Sequence, residues 1–158
     1  MTGVQTCALP SSKPGVPLSA YADESAFKLF SLDVGLLCAL SRLEASSIVD
    51  GNALFTEFRG ALTEQYVCQQ LVSDCNLSPC YWSAENSRGE VDFLVQRGGR
   101  VYPIEVKAEE NLRSKSLRAF SGRYPGTVPR RFSLSDFCDQ GWMRNVPLYA
   151  IGNSGSWD

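Results

Sequence analysis

EVDFLVQRGGRVYPIEVK, residues 90–107, decides the fold. Gly98-Gly99 is a favoured two-residue hairpin turn, because both central positions of the tight mirror-image turn require positive φ. A turn centred there joins strands over 90–96 and 101–107. It sets Asp92 opposite Glu105 and Glu90 opposite Lys107. Strand alternation then puts Glu90, Asp92, Glu105 and Lys107 on one face. Val91, Phe93, Val95, Tyr102, Ile104 and Val106 take the other face, toward a core. Directly opposed residues have Cβ atoms about 4.5–5.5 Å apart, and like charges there destabilise the pair. Asp92 against Glu105 is therefore a local fault that a shared divalent cation would neutralise. Mg²⁺ prefers oxygen ligands and keeps several waters. Lys107 points the same way, where its ammonium suits a phosphate or an attacking water. The plain alternative is a solvated face with a Glu90–Lys107 ion pair, worth roughly 0–1 kcal/mol. Leu94, Val101 and Pro103 on that face argue against a wholly wet surface.

Working outward, residues 53–72 form the clearest helix. At 100° per residue, an apolar arc includes Phe55, Phe58, Ala61, Leu62, Tyr66, Val67, Cys68 and Leu71. Arg59, Thr63, Thr56 and Gln70 fall on the wet side. Glu64 lies inside the apolar arc, with Glu57 on nearly the same line, and a carboxylate there is costly to bury without a partner. Gly60 costs that helix roughly 1 kcal/mol relative to Ala and is read as a point of close packing on the sheet. Residues 26–40 begin as a strand and end as a helix, and Asp50-Gly51-Asn52 signals a turn. A short strand is expected at 80–83, a helix at 111–120 and closing strands at 130–134 and 146–151. The alternation of elements predicts an α/β domain.

Several chemistries are excluded by composition. The 158 residues contain no histidine, which removes Ser-His-Asp and Cys-His catalysis and His-ligated metals. Six cysteines, none in a CxxC pair, read as reduced thiols of a cytoplasmic protein. No apolar run reaches the roughly 18 residues of a membrane span. The net charge of −2 hides an asymmetry. Residues 1–87 hold four basic and nine acidic side chains, and residues 88–144 hold eleven basic and seven acidic. The basic half is the place for phosphate. Lys115 stands at the start of the expected helix and is a candidate phosphate ligand. Arg118 and the pair Arg130-Arg131 read as surface charge, and Tyr81, Trp82, Tyr102 and Tyr124 as core or rim aromatics. MTGVQTCALP at the amino terminus resembles translated read-through of a sequencing adapter. Residues 1–11 are accordingly set apart as a foreign or disordered leader, and 12–158 as the domain of a longer protein.

Asp92, followed at a distance by Glu105-Val106-Lys107, resembles the D…(D/E)xK signature of the PD-(D/E)xK nuclease superfamily. That resemblance implies a restriction-endonuclease-like mixed sheet flanked by helices. It implies Mg²⁺ or Mn²⁺ held by Glu64, Asp92 and Glu105, with Lys107 completing the catalytic set. A wider resemblance rests on PLSAYADESAFKLFSLDVGLL, FRGALTEQYVCQQL, EVDFLV, PIEVKAEENLRSKSL and VPLYAI. These strings are similar to an uncharacterised domain that follows the AAA-type ATPase module of many bacterial and archaeal ATP-binding proteins. It implies an upstream ATPase module as partner. The chain itself has no GxxxxGK[ST] phosphate loop. Two functions follow as expectations. One is a Mg²⁺-dependent phosphodiester hydrolase acting on nucleic acid, with DNA the expected substrate. The other is a non-catalytic module that binds nucleic acid or protein for the ATPase.

Overall fold

The computed structural model describes residues 4–43, 46, 56–84, 89–108, 113–153, 155 and 157. The Asp50-Gly51-Asn52 turn, Phe55 and Asn111 lie outside the described residues. In chain order the elements are β1 (Val4–Ala8), β2 (Lys28–Ser31), α1 (Val34–Leu40), α2 (Thr56–Ser73), β3 (Cys80–Ser83), β4 (Glu90–Arg97), β5 (Arg100–Lys107), α3 (Lys115–Arg123), β6 (Arg130–Ser133), β7 (Cys138–Asp139) and β8 (Arg144–Pro147). Single 3₁₀ turns span Leu18–Tyr21 and Leu148–Ala150. The result is a mixed α/β architecture. Among the described residues no helix is long and apolar enough to cross a membrane.

The hairpin nucleates the sheet. Gly98 and Gly99 have φ of 56° and 73°, as the tight turn demands. The β4–β5 ladder runs from Arg97↔Arg100 to Phe93↔Ile104, the register read from the sequence. Six strands lie in the order β3-β4-β5-β6-β8-β7. β5, β6 and β8 are mutually parallel, while β3, β4 and β7 run antiparallel to their neighbours. The parallel β5–β6 step needs a crossover, and α3 supplies it.

Two apolar clusters hold the layers together. On one side Phe93, Val95, Tyr102, Ile104 and Val106 pack with Val67, Cys68 and Leu71 of α2, and with Phe30 and Trp157. On the other, Leu94 and Val101 pack with Leu117 and Phe120 of α3, and with Leu18 and Trp82. Burying each such side chain contributes roughly 1.5–3 kcal/mol, so the hairpin is anchored on both faces.

Several expectations change. Val91 belongs with Leu94 on the α3 side rather than with Phe93. The cause is a bulge: β3 advances two residues from Cys80 to Trp82 while β4 spans three between Leu94 and Val91. Thr63, expected to be wet, is buried, and Ala61 is exposed. Thr63 Oγ1 donates back to Arg59 O at 2.7 Å, while the β2–α1 segment covers the Gln65–Gln69 side of α2. There Gln65 bonds both the N–H and C=O of Ser31, at 2.8 and 2.9 Å, and Gln69 accepts from Val34 N at 3.1 Å. Gly60 is not a close-packing site, since a Cβ added there meets nothing within 4 Å. The residues set apart as a leader supply β1, paired antiparallel with β2, because the Lys28–Ser31 edge accepts a strand. Ala8 is fully buried, and Ser11 N donates to Tyr81 O at 2.8 Å. The last helix is shifted to Lys115–Arg123, and the final strand ends at Pro147, where a 3₁₀ turn begins.

Candidate functional site

The site begins where β4 parts from β5. Beyond Phe93↔Ile104 the backbone ladder stops, and the side chain of Asp92 takes its place: Oδ2 accepts from Val106 N at 2.7 Å. The bulge that turned Val91 toward α3 carries Asp92 toward α2. There Asp92 hydrogen-bonds Glu64. Two carboxyl groups in such contact must share a proton. Burial, then the charge of Glu64, push Asp92 up to about 7, against the pull of the Val106 N–H and Lys28. Burial also raises Glu64, while Lys28 and the hydrogen bond with Asp92 oppose the shift. One proton is therefore shared between Asp92 and Glu64.

Glu105 and Lys107 are out of phase with Ile104 and Val106, so they project to the α3 side of β5. Glu105 is 8% exposed. Its Oε1 lies 3.2 Å from Lys107 Nζ, and its Oε2 is buried with no hydrogen-bond partner. The expectation that all four groups share one face is thus corrected. Glu64 and Asp92 form one half on the α2 side, and Glu105 with Lys107 forms the other. They meet across the gap between the strands, close enough for the charge of Glu105 to raise Asp92 further. The expected Glu90–Lys107 pair is also replaced. Glu90 pairs with Lys28, and Lys107 with Glu105.

Two cations missed by sequence reasoning complete the surroundings. Lys28 of β2 sits 5.0 Å above the Tyr81 ring. Burial works against its charge, but the Glu90 hydrogen bond and the charges of Glu64, Glu90 and Asp92 outweigh it and raise the pKa. A lysine inside an apolar strand of the acidic half was the available signal. Arg131, read as surface charge, is fully buried, as is nearly all of Arg130. Arg131 lies beside Glu105 in the parallel ladder. It donates to Asn145 Oδ1 at 2.8 Å and Ser114 Oγ at 3.1 Å. Burial lowers its pKa, and the charge of Glu105 opposes that shift. Arg130 stacks 5.4 Å from the Tyr102 ring. Neither arginine faces a nucleic-acid backbone, because the β6 positions they occupy are interior.

Lys115 is the first residue of α3 and is exposed. It lines a cleft with Trp82 and Gly89, separate from the carboxylates. Arg118 is stacked 5.4 Å from Trp142. Trp82 is buried against Phe120 and the half-buried Tyr124, and the Tyr102 hydroxyl donates to Trp157 O at 3.0 Å, so Trp82 and Tyr102 serve the core.

The oxygen donors of Glu64, Asp92 and Glu105 suit a hard divalent cation, and the orphaned Glu105 Oε2 is a donor in need of a partner. Yet among the described residues no three His, Cys, Asp or Glu groups are gathered as a metal cluster. Asp92 is engaged by Val106 N and Glu64, and Glu105 by Lys107.

Fold and cluster define a mixed α/β domain whose carboxylates collect at a strand divergence. Residues 59–135, just under half the chain, match the family described as Domain of unknown function (DUF4143). That stretch holds Glu64, Asp92, Glu105, Lys107 and Lys115. No curated protein and no solved structure matches the chain.

Proposed function

We propose that this is a restriction-endonuclease-like domain that hydrolyses phosphodiesters of nucleic acid with Mg²⁺ or Mn²⁺. The observation that carries the reading is Asp92 at the β4–β5 divergence, raised by burial to about 7 beside Glu64 and within range of the Glu105 charge, with Lys107 paired to Glu105. Such a burial-raised acid in contact with specific partners is typical of a working site. Glu64, Asp92 and Glu105 would hold the ion through oxygen. When bound, the ion supplies positive charge to a phosphate and makes water more acidic. Asp92 would give up its proton to serve as a ligand, and Lys107, which pairs with Glu105, would be the ammonium available to the phosphate or the attacking water. DNA is the proposed substrate, and an upstream AAA-type ATPase module the proposed partner in the intact protein.

The test is cleavage of a labelled DNA with Mg²⁺ or Mn²⁺. Wild-type protein should cut, and Asp92→Ala and Lys107→Ala should lose that activity while circular dichroism shows them folded. A folded wild type that leaves both DNA and RNA intact with either metal would remove the hydrolase reading.

One observation favours a second reading. Lys107 already neutralises Glu105, and the shared proton already neutralises half of the Glu64–Asp92 pair. Its charges are thus partly balanced without a metal, which suits a scaffold in a non-catalytic module that binds nucleic acid or protein. In that case Asp92→Ala leaves binding unchanged.

A further inference from the structure

We infer that a single-stranded polynucleotide lies along a basic surface that follows α3 to the tip of the β4–β5 hairpin. This rests on the proposed hydrolase function and names the form of its substrate. Two clefts share Arg123 as a lining residue. The first lies beside Trp82 and Gly89 and is lined by Lys115 and Arg123. The second, about 480 Å³, is lined by Arg123 again together with Lys13, Arg100, Tyr21 and Tyr124. Among the described residues no aspartate or glutamate lines either cleft. Lys13, Arg100, Lys115 and Arg123 are all exposed, and none takes part in an ion pair among the described residues.

The dimensions suit a chain rather than a small anion. Lys115 and Arg123 stand eight residues apart on α3, about 12 Å at roughly 1.5 Å per residue. Arg100, at the hairpin turn, lines the second cleft with Arg123. The occupant is therefore extended and carries negative charge at intervals. Aromatic rings beside the cations favour a single strand over a duplex. Lys13 lies 4.7 Å from the Tyr21 ring and Arg123 5.4 Å from the Tyr124 ring. A phosphate on the cation and an unstacked base on the ring use both partners, whereas a paired base has no free face to offer. Tyr21 is also held in place, since a Cβ on Gly15 would come within 2.0 Å of its ring. With a net charge of −2, the chain as a whole offers polyanions no general attraction, so binding must be local to this groove.

The experiment measures fluorescence anisotropy of a labelled single-stranded oligodeoxynucleotide with the full chain in EDTA, so that cleavage plays no part. Binding should weaken with salt at a log–log slope of about −2 to −3, as for three or four phosphates on a single strand. Arg123→Glu should lower affinity about tenfold and flatten that slope by about 0.7–1. Lys13→Glu should act in the same direction, while Arg42→Glu, beside α1 on the α2 side of the sheet, should not. Because these side chains are exposed, thermal unfolding should stay at the wild-type temperature. Wild-type affinity in Arg123→Glu and Lys13→Glu, or losses no greater than in Arg42→Glu, would overturn the groove. Tighter binding of a duplex on the same residues would overturn its single-strand preference. Groove-dependent binding without cleavage in Mg²⁺ or Mn²⁺ would instead sink the hydrolase reading and leave the groove standing. Cleavage with no groove dependence would do the reverse.

Discussion

At the scale of single residues, Asp92 sets the character of the site. Burial and the neighbouring Glu64 raise its folded pKa from 3.8 to about 7. A carboxyl raised in this way binds more protons folded than unfolded, so stability falls as pH rises between those two values. The proton is shared with Glu64, and the titration belongs to the pair. The loss across the window is at most on the order of 4 kcal/mol, from about 1.4 kcal/mol per pKa unit. Asp92→Asn keeps a donor for Glu64 and an acceptor for Val106 N. Urea denaturation across pH should show wild type weakening from about pH 4 to about pH 7 and the variant nearly flat there. A wild-type profile that rises over that interval would refute the shared-proton account. Periodicity placed Glu64 on the helix and Asp92, Glu105 and Lys107 on the hairpin, but not their faces, because the bulge in β4 breaks the strand alternation. Lys28 and Arg131 were not legible, since their importance comes from partners brought near only by tertiary folding.

Among the elements, α2 carries a weakness and a clamp. Gly60 sits in mid-helix with open space where a Cβ would go. Gly60→Ala should stabilise the fold by about 1 kcal/mol, read as a higher urea midpoint at unchanged slope. Destabilisation would mean the helix needs that glycine for a contact. Gln65 is buried and holds both backbone groups of Ser31. Gln65→Ala leaves those groups without their partner, at a cost of about 1–3 kcal/mol. It should also loosen β2 and with it the Lys28–Glu90 pair, seen as faster amide exchange at Phe30 and Ser31. The hairpin was readable because a Gly-Gly turn fixes register locally. The bulge at Asp92–Phe93 was hidden because it depends on β3, whose pairing nothing in the hairpin specifies. The role of β1 was hidden for a similar reason: its pairing with β2 joins segments some twenty residues apart.

For the whole molecule, the sequence predicted strands and helices in nearly the observed order, and hence a mixed α/β fold. It did not give the neighbour order β6-β8-β7, because short closing strands carry little periodicity and β7 is only two residues long. The sheet's arrangement matters because it buries Arg131 beside Glu105 and directs α3, with its exposed basic side chains, along the outside of the hairpin. The account depends on the carboxylates at the strand divergence accepting a divalent cation at the expense of a proton. Calorimetric titration of the full chain with Mg²⁺, above and below about pH 7, measures this directly. The account predicts saturable binding that weakens below that pH and disappears in Asp92→Ala. Identical heats from wild type and Asp92→Ala at both pH values would contradict it.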